Sequence, residues 1–302
     1  MNTTVRVGSV ELATPVMTAS GTAGHGAELA PYFDLAEIGA VVVKSIAAFE
    51  WAGNPSPRVH PAGVGMINAV GLQGSGVEHW LAHDLPPLAA SGAQVVVSIW
   101  GRSVHDYARA ADLLADAPSC VVAVEVNLSC PNLEGRRGIF GHDAELSGEV
   151  VSATANCGRP RWAKLSANTD RVVEVAAAVH EAGAEAVTLI NTLLGMVLDP
   201  HTLRPALGAG SGGYSGLPIH PVAVRTVWDV HAALPQLPIV GVGGVAGGWD
   251  AAELMLAGAS AVQVGTATFA DPRAPLRVQR ELLQWCNARG LSPAELTGRA
   301  HS

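Results

Sequence analysis

The feature that most constrains the fold is a regular alternation of short β-branched runs with amphipathic segments. Runs of this kind, four to eight residues long, are typical of strands buried on both faces. Eight runs are predicted strands: 15–18, 40–43, 94–99, 121–126, 161–165, 186–190, 238–242 and 261–264. Helix-like segments between them include 104–115, 170–182, 221–233 and 249–257. Eight strand–helix units predict a closed parallel (β/α)8 TIM barrel in the α/β class. A doubly wound open sheet is the alternative, but it usually has fewer units.

Composition supports one large domain with well-covered strands. The chain has 302 residues, of which 49% are hydrophobic and 15% charged. No low-complexity linker or shift in composition divides it, so a single barrel domain over residues 1–302 is predicted. Two glycine-rich intervals, 45–75 and 192–218, are too long for a helix and a turn. We expect them to form binding loops or lids at the C-terminal face of the barrel.

Charge and cysteine usage disfavour several classes of protein. The net charge is −8, and no basic cluster is longer than Arg136-Arg137, which disfavours nucleic acid as a partner. The four cysteines lie far apart without a C-x-x-C pair, and the eleven histidines lack metal-ligand spacing, so no metal site is predicted. Neither a secretory signal nor an apolar run long enough for a bilayer is visible, which predicts a cytoplasmic protein with no membrane partner.

Polar residues and glycines close every predicted strand. In a barrel the C-terminal strand ends share one face, which carries the active site, although each polar residue alone could merely cap the following helix. The strand-end residues are Ser20-Gly21, Lys44-Ser45, Ser98, Asn127, Lys164, Asn191-Thr192, Gly243-Gly244 and Gly265-Thr266.

The glycines of the last two strand ends predict a phosphate site. Residues 241–246 fit G-x-G-x-x-A superficially, but a dinucleotide site would need an acidic residue about twenty positions later. Residues 261–266 contain none. Barrels often bind phosphate at strands seven and eight through backbone N–H groups, so we expect a phosphorylated cofactor there. Plain turns are the alternative.

Three reactive side chains stand at strand ends. Lys44 and Lys164 need an anion because an unpaired buried ammonium is costly. That anion is either Glu125, whose strand parity with Asn127 points it into the barrel, or a bound cofactor or substrate. Cys130 follows the strand that ends at residue 126 and is a candidate catalytic thiol, although a lone cysteine is often inert and buried.

At these residues the chain resembles the class 1 dihydroorotate dehydrogenases, and most closely the class 1B catalytic subunit. The resemblance runs nearly from end to end. It is carried by Ala19-Ser20-Gly21-Thr22, Val43-Lys44-Ser45, Gly53-Asn54-Pro55-Ser56-Pro57-Arg58-Val59, Met66-Ile67-Asn68-Ala69-Val70-Gly71-Leu72-Gln73, Asn127-Leu128-Ser129-Cys130-Pro131-Asn132, Leu189-Ile190-Asn191-Thr192-Leu193-Leu194-Gly195-Met196, Ser211-Gly212-Gly213-Tyr214-Ser215-Gly216 and Ala261-Val262-Gln263-Val264-Gly265-Thr266.

The resemblance implies an FMN-containing barrel that oxidises (S)-dihydroorotate to orotate in de novo pyrimidine biosynthesis, with Cys130 as the general base. It also implies an electron-transfer partner subunit that carries FAD and a 2Fe–2S cluster and passes electrons to NAD⁺, in a homodimer or heterotetramer. The implied substrate contacts are Lys44, Asn68, Ala69, Val70, Gly71, Leu72, Asn127, Asn191 and Thr192. The implied FMN contacts are Ser20, Gly21, Lys44, Ser45, Ser98, Asn127, Lys164, Ile190, Gly216, Gly243, Gly244, Gly265 and Thr266.

Three positions depart from the family pattern. Ser98 stands where the family has an asparagine that touches the flavin, Gly74-Ser75 replaces Asn-Pro, and Gly135-Arg136-Arg137 replaces a glycine-rich part of the Cys130 loop. A related flavin barrel that acts on another dihydropyrimidine or cyclic amide is therefore an alternative function. Two others are a lyase that uses Lys44 or Lys164 as a Schiff-base nucleophile, and a non-enzymatic binding subunit.

Overall fold

The computed structural model describes residues 2–129, 131–132 and 138–302. Its strands follow one another along the chain as short extended segments. In order they are β1 (Val5–Val7), β2 (Val10–Leu12), β3 (Val16–Thr18), β4 (Val41–Val42), β5 (Val59–Ala62), β6 (Gly65–Asn68), β7 (Val95–Ile99), β8 (Val121–Asn127), β9 (Pro131–Asn132), β10 (Gly138–Ile139), β11 (Arg161–Lys164), β12 (Ala186–Leu189), β13 (Leu193–Gly195), β14 (Gly212–Gly216), β15 (Ile239–Val242) and β16 (Ala261–Val264).

The helices lie mainly between the strands of the central sheet. They are α1 (Val77–His79), α2 (Leu85–Ala90), α3 (Val104–Asp112), α4 (Ala144–Ala153), α5 (Val172–Glu181), α6 (His220–Ala233), α7 (Gly248–Leu256), α8 (Ala267–Ala270) and α9 (Ala274–Asn287). A π-helical turn, Trp80–Asp84, joins α1 to α2. Short 3-10 turns cover Leu35–Glu37, Phe140–His142, Ala155–Cys157, Leu217–Ile219, Pro293–Leu296 and Arg299–His301. Within the described part of the chain, none of the helices has the length and apolar character needed to span a bilayer.

Eight parallel strands form the central sheet in the order β3-β16-β15-β12-β11-β8-β7-β4. A parallel bridge between Met17 and Ala40 joins its two outer strands, so that the sheet closes on itself. This arrangement is the predicted TIM barrel. Every predicted strand is present, and each bound agrees with the prediction to within one residue. The apolar runs were easy to locate because these strands are buried on both faces, as the fully buried residues of β7 show.

A second sheet lies in the two glycine-rich intervals that the sequence predicted as loops. It is antiparallel, in the order β13-β14-β6-β5, and pairs Gly213 with Asn68 and Leu193 with Tyr214. The long insertions at the C-terminal face are thus present, but the sequence did not predict the small sheet within them. Glycines interrupt their alternation of apolar and polar residues, and the pairing joins segments far apart in sequence. Both intervals follow barrel strands, β4 and β12, so the small sheet stands on the C-terminal face.

Local capping sets where the helices around the site begin. Ser103 Oγ accepts a hydrogen bond from Asp106 N at 3.1 Å, and Asp143 Oδ1 accepts one from Leu146 N at 3.0 Å. Each of these side chains satisfies an N–H group that has no partner within the helix. The caps therefore fix the first turns of α3 and α4 beside β8.

Two glycines predict opposite effects of the same substitution on stability. In α4 a Cβ at Gly148 would lie 3.6 Å from Ala178 O, an ordinary contact, whereas a Cβ at Gly39 would clash with the carbonyl oxygen of Thr14. We expect Gly148→Ala to raise the free energy of unfolding by about 0.5–1 kcal/mol through helix propensity. Gly39→Ala should lower it by roughly 1–3 kcal/mol. Urea unfolding measures both, and equal effects of the two substitutions would contradict this packing.

Candidate active site

Hydroxyl and amide side chains from four strand ends form one hydrogen-bonded cluster. Ser45 Oγ lies 3.1 Å from Ser20 Oγ and 2.9 Å from Ser98 Oγ, and Asn127 Nδ2 donates to Ser45 Oγ at 3.3 Å. These residues follow or end β3, β4, β7 and β8. The structure thus brings together four residues that the resemblance assigned to the cofactor. Ser98 is fully buried and directs its hydroxyl to Ser45.

The cluster continues through a pair of amides. Asn191 Nδ2 donates to Asn127 Oδ1 at 3.2 Å, and Thr192 N donates to Asn191 Oδ1 at 2.8 Å. From behind, Tyr107 Oη on α3 donates to the backbone oxygen of Asn127 at 2.6 Å. Sequence reasoning missed Tyr107, and no motif marks it, because its partner is a backbone carbonyl. Both amides are consequently held in defined orientations.

Lys44 lies close to the loop that follows β3. Its backbone N donates to Gly24 O at 2.9 Å, and a Cβ at Gly21 would lie 3.8 Å from Lys44 Nζ. Gly21 has φ +90°, a conformation that favours glycine. Burial lowers the pKa of the neighbouring His25, while Asp84 raises that pKa and the Lys44 ammonium lowers it. The neutral form of His25 is therefore favoured beside the lysine.

Lys164 has a buried carboxylate partner inside the barrel. Its Nζ lies 3.6 Å from Glu125 Oε1, and Gln263 Nε2 donates to Glu125 Oε2 at 2.9 Å. Glu125 is fully buried and Lys164 is 6% exposed. Glu125 is one of the two kinds of anion that the sequence left open for Lys164. Among the described residues, three buried oxygens near it lack hydrogen-bond partners: Glu125 Oε1, Thr188 Oγ1 and Gln263 Oε1.

Glycines from three strand ends lie close together at the C-terminal opening of the barrel. A Cβ at Gly244 would lie 3.0 Å from Gly216 O, and one at Gly216 would lie 3.6 Å from Thr266 Cγ2. Thr266 Oγ1 donates to Ser215 Oγ at 2.9 Å. Of the residues that the structure describes, none accepts a hydrogen bond from the backbone N–H of Gly244, Gly265 or Thr266. Backbone donors without a protein acceptor are suited to an anion.

The remaining cofactor residue, Ile190, packs against this glycine group. Its Cγ1 would lie 3.5 Å from a Cβ at Gly243. Ile190 is buried and immediately precedes Asn191, so it joins the glycine group to the amide cluster. The predicted cofactor residues therefore form two adjoining groups at one end of the barrel.

The segment assigned to the substrate is held at the end of β6. Asn68 Nδ2 donates to Gly213 O at 3.2 Å, and Ala69 N donates to Arg58 O at 2.8 Å. Trp51 Nε1 donates to Gly71 O at 2.9 Å, and Leu72 has φ +62°. Bonds from three separate segments thus fix the shape of residues 68–72 on the active-site face.

Cys130, the predicted base, lies outside the described residues, as do Gly135, Arg136 and Arg137. The chain just before Cys130 is anchored, since Ser129 N donates to Asn127 Oδ1 at 3.2 Å. The chain after it includes β9 and β10, which pair with each other, and Gly141 N donates to Leu128 O at 2.7 Å. Cys130 accordingly stands three residues beyond Asn127, next to the amide cluster in sequence.

A closed parallel barrel with paired amides, two lysines and free backbone donors at its C-terminal face is the architecture of a TIM-barrel enzyme. The family model for dihydroorotate dehydrogenase matches residues 2–285. The chain belongs to the dihydroorotate dehydrogenase family, a family of oxidoreductases.

Relatives with this name cover nearly the whole chain. The dihydroorotate dehydrogenase B (NAD(+)), catalytic subunit, of Geobacter sp. (strain M21) is 45% identical over 282 residues, 93% of this chain and 92% of that protein. The protein of the same name from Desulforudis audaxviator (strain MP104C) is 45% identical over 303 residues, 100% of this chain and 98% of its own length. The similarity to class 1B that the motifs indicated is confirmed.

The buried ion pair predicts strongly coupled mutations. Lys164→Met should lower the free energy of unfolding by about 3–5 kcal/mol, because it leaves the Glu125 carboxylate buried and unpaired. Adding Glu125→Gln should restore most of this loss, since the double variant carries no buried charge at the pair. Urea unfolding of the single and double variants, after removal of any bound cofactor, gives the coupling. Simple additivity would show that the two groups do not form a pair.

Proposed function

We propose that the chain oxidises (S)-dihydroorotate to orotate in de novo pyrimidine biosynthesis, with FMN as its bound cofactor. The observation that carries the proposal is the convergence of the hydrogen-bonded Ser45, Asn127 and Asn191 with the glycine group at one mouth of a barrel of this family. The substrate is inferred from the name of the relatives, which are dihydroorotate dehydrogenases.

The described residues fit FMN. The free N–H groups of Gly244, Gly265 and Thr266 match a phosphate, which accepts several hydrogen bonds. The buried Lys164 provides positive charge beside the polar cluster. We assign FMN to the two groups of strand-end residues and Lys164, namely Ser20, Gly21, Lys44, Ser45, Ser98, Asn127, Lys164, Ile190, Gly216, Gly243, Gly244, Gly265 and Thr266.

The reaction removes a proton from C5 and a hydride from C6 of dihydroorotate. When bound, FMN supplies the hydride acceptor. Cys130 as thiolate takes the C5 proton, a general-base contribution of roughly 10²–10⁴-fold in rate. The Lys44 ammonium pairs with the substrate carboxylate.

Amide side chains orient the substrate ring. An amide both donates and accepts, so it can match the alternating N–H and C=O groups of a pyrimidine. The bond between Asn191 and Asn127 fixes both amides before substrate arrives, which lowers the cost of binding. We assign the substrate to these two residues and to Lys44, Asn68, Ala69, Val70, Gly71, Leu72 and Thr192.

Electrons then leave through a second polypeptide. The relatives are named as catalytic subunits of an NAD(+)-linked enzyme, which implies a partner subunit in those proteins. We assign FAD and a 2Fe–2S cluster to such a partner of this chain. The chain itself is assigned to the cytoplasm, as a homodimer or as part of a heterotetramer with that partner. The separated cysteines of this chain fit that division of labour.

Cofactor content tests the proposal directly. The purified protein should be yellow and release one FMN per chain on acid treatment, identified by chromatography. If no flavin is bound after reconstitution with excess FMN, the proposed function is wrong.

A cysteine variant tests the base. Cys130→Ser should retain FMN but slow flavin reduction by dihydroorotate by roughly 10²-fold or more, because a hydroxyl is a much weaker proton acceptor than a thiolate. Stopped-flow reduction under anaerobic conditions measures this step. Cys120→Ser, a change at a half-buried cysteine, is the matched control. Burial raises the thiol pKa of Cys157 and Cys286, so neither thiol competes for the role. Reduction of the Cys130 variant at the parent rate would remove Cys130 from the mechanism.

The electron acceptor gives a separate prediction. The isolated chain should reduce an artificial dye with dihydroorotate but should reduce NAD⁺ slowly or not at all. Its sequence lacks a glycine-rich dinucleotide-binding motif that is followed by an acidic residue at the end of the next strand. Co-expression with a flavin and iron–sulfur subunit should restore NADH formation, with dye reduction as the control for active enzyme. Rapid NADH production by the homogeneous chain alone would contradict the assignment, and comparable fumarate reduction would move it to class 1A.

A further inference from the structure

His220 links the glycine group to a carboxylate outside the barrel. It is the first residue of α6 and is 7% exposed. Its Nδ1 lies 2.7 Å from the backbone oxygen of Gly243, and its Nε2 lies 3.2 Å from Glu253 Oε2 on α7. Sequence reasoning missed this residue, because the eleven histidines show no functional spacing.

The contact with Gly243 fixes the role of one ring nitrogen of His220. A backbone carbonyl only accepts hydrogen bonds, so Nδ1 donates to Gly243 O. The carboxylate of Glu253 lies against Nε2 on the opposite edge of the ring. The two contacts hold the ring between the glycine group and α7.

The bond to Gly243 also orients the next peptide N–H. Gly243 and Gly244 have φ +138° and +68°. Glycines are flexible, so a hydrogen bond from another part of the chain is needed to fix the orientation of their peptide. In a planar trans peptide the carbonyl of Gly243 and the N–H of Gly244 point in opposite directions. A carbonyl directed at His220 therefore turns the Gly244 N–H away from the ring. That N–H is one of the donors without an acceptor in the part of the chain that the structure describes.

We propose that His220, held between Gly243 and Glu253, is a positioning residue for the flavin phosphate. Its hydrogen bond orients the Gly243–Gly244 peptide, and this inference rests on the proposed FMN cofactor. Arg225 and Asp229 on α6, which line the same surface cavity as His220, pair with each other at 2.7 Å.

The ring is supported from the surface side. Glu253 has a side chain 39% exposed, and a surface cavity of about 520 Å³ lies beside it, lined by His220, Pro221, Val224, Arg225, Trp228, Asp229 and Glu253. His220 therefore stands between this cavity and the glycine group, so its replacement should affect the loop and not the flavin ring.

The test compares FMN with riboflavin, which lacks the phosphate. Apoprotein is titrated with each flavin at one fixed pH, and fluorescence quenching gives the dissociation constants. His220→Leu should weaken FMN binding by about tenfold, the effect of losing the hydrogen bond that orients the Gly243–Gly244 peptide. It should leave riboflavin binding unchanged.

Two further variants separate the hydrogen bond from the packing of the ring. His220→Gln keeps an N–H donor that can reach Gly243 O, so it should bind FMN more tightly than His220→Leu. His180→Gln is the matched control, since His180 Nδ1 lies 3.1 Å from Ala184 O on another part of the barrel. Its FMN affinity should equal that of the parent.

Each outcome decides one claim. Equal losses of FMN and riboflavin affinity in His220→Leu would show a general structural role and overturn the inference. An unchanged FMN affinity in that variant, or a His220→Gln variant as weak as His220→Leu, would do the same. Equal affinity of the parent protein for riboflavin and FMN would also overturn the inference, whereas a parent that binds neither flavin would show that the proposed function is wrong. Thermal unfolding of each apoprotein identifies a variant that has lost its fold, and His220→Gln still carries the test if His220→Leu has done so.

Discussion

Closure of a parallel barrel is the constraint on which the rest of this structure depends. All eight strands run in one direction, so their C-terminal ends meet at one mouth. Residues as distant in sequence as Ser20 and Ser45, or Asn127 and Asn191, become hydrogen-bond partners there. The strand interiors are mainly apolar because they form the core, whereas the strand ends can hold polar side chains that take part in binding and catalysis. The two long insertions after β4 and β12 add a small sheet on the same face.

The pair formed by Lys164 and Glu125 is the exception to the apolar interior. Two desolvated charges contribute little net stability, because their mutual attraction is largely offset by the cost of removing them from water. A pair of this kind is consistent with a functional need for a fixed cation at the C-terminal end of the barrel. Gln263 supports the carboxylate from β16, so three strands share the arrangement. His220 and Glu253 make a second contact of this kind between side chains, near the glycine group, and Glu253 is partly exposed.

Much of the barrel was predictable from sequence because strands buried on both faces read as continuous apolar runs. The strand ends were predictable for the same reason, since the first polar residue after such a run marks the mouth. The small sheet was not, because Gly212, Gly213 and their partners carry no alternating pattern and pair across long separations. Tyr107 and His220 were also missed. Each bonds to a backbone carbonyl, and the identity of such a partner leaves no trace in sequence.

The central claim is that this barrel couples oxidation of dihydroorotate to reduction of a bound flavin. An anaerobic titration of the purified, FMN-loaded protein with (S)-dihydroorotate measures it most directly, with flavin absorbance and orotate followed together. The account predicts complete bleaching of the flavin, with one orotate formed per flavin reduced. A flavin that stays oxidised in the presence of excess dihydroorotate, in protein shown to be folded, would contradict it.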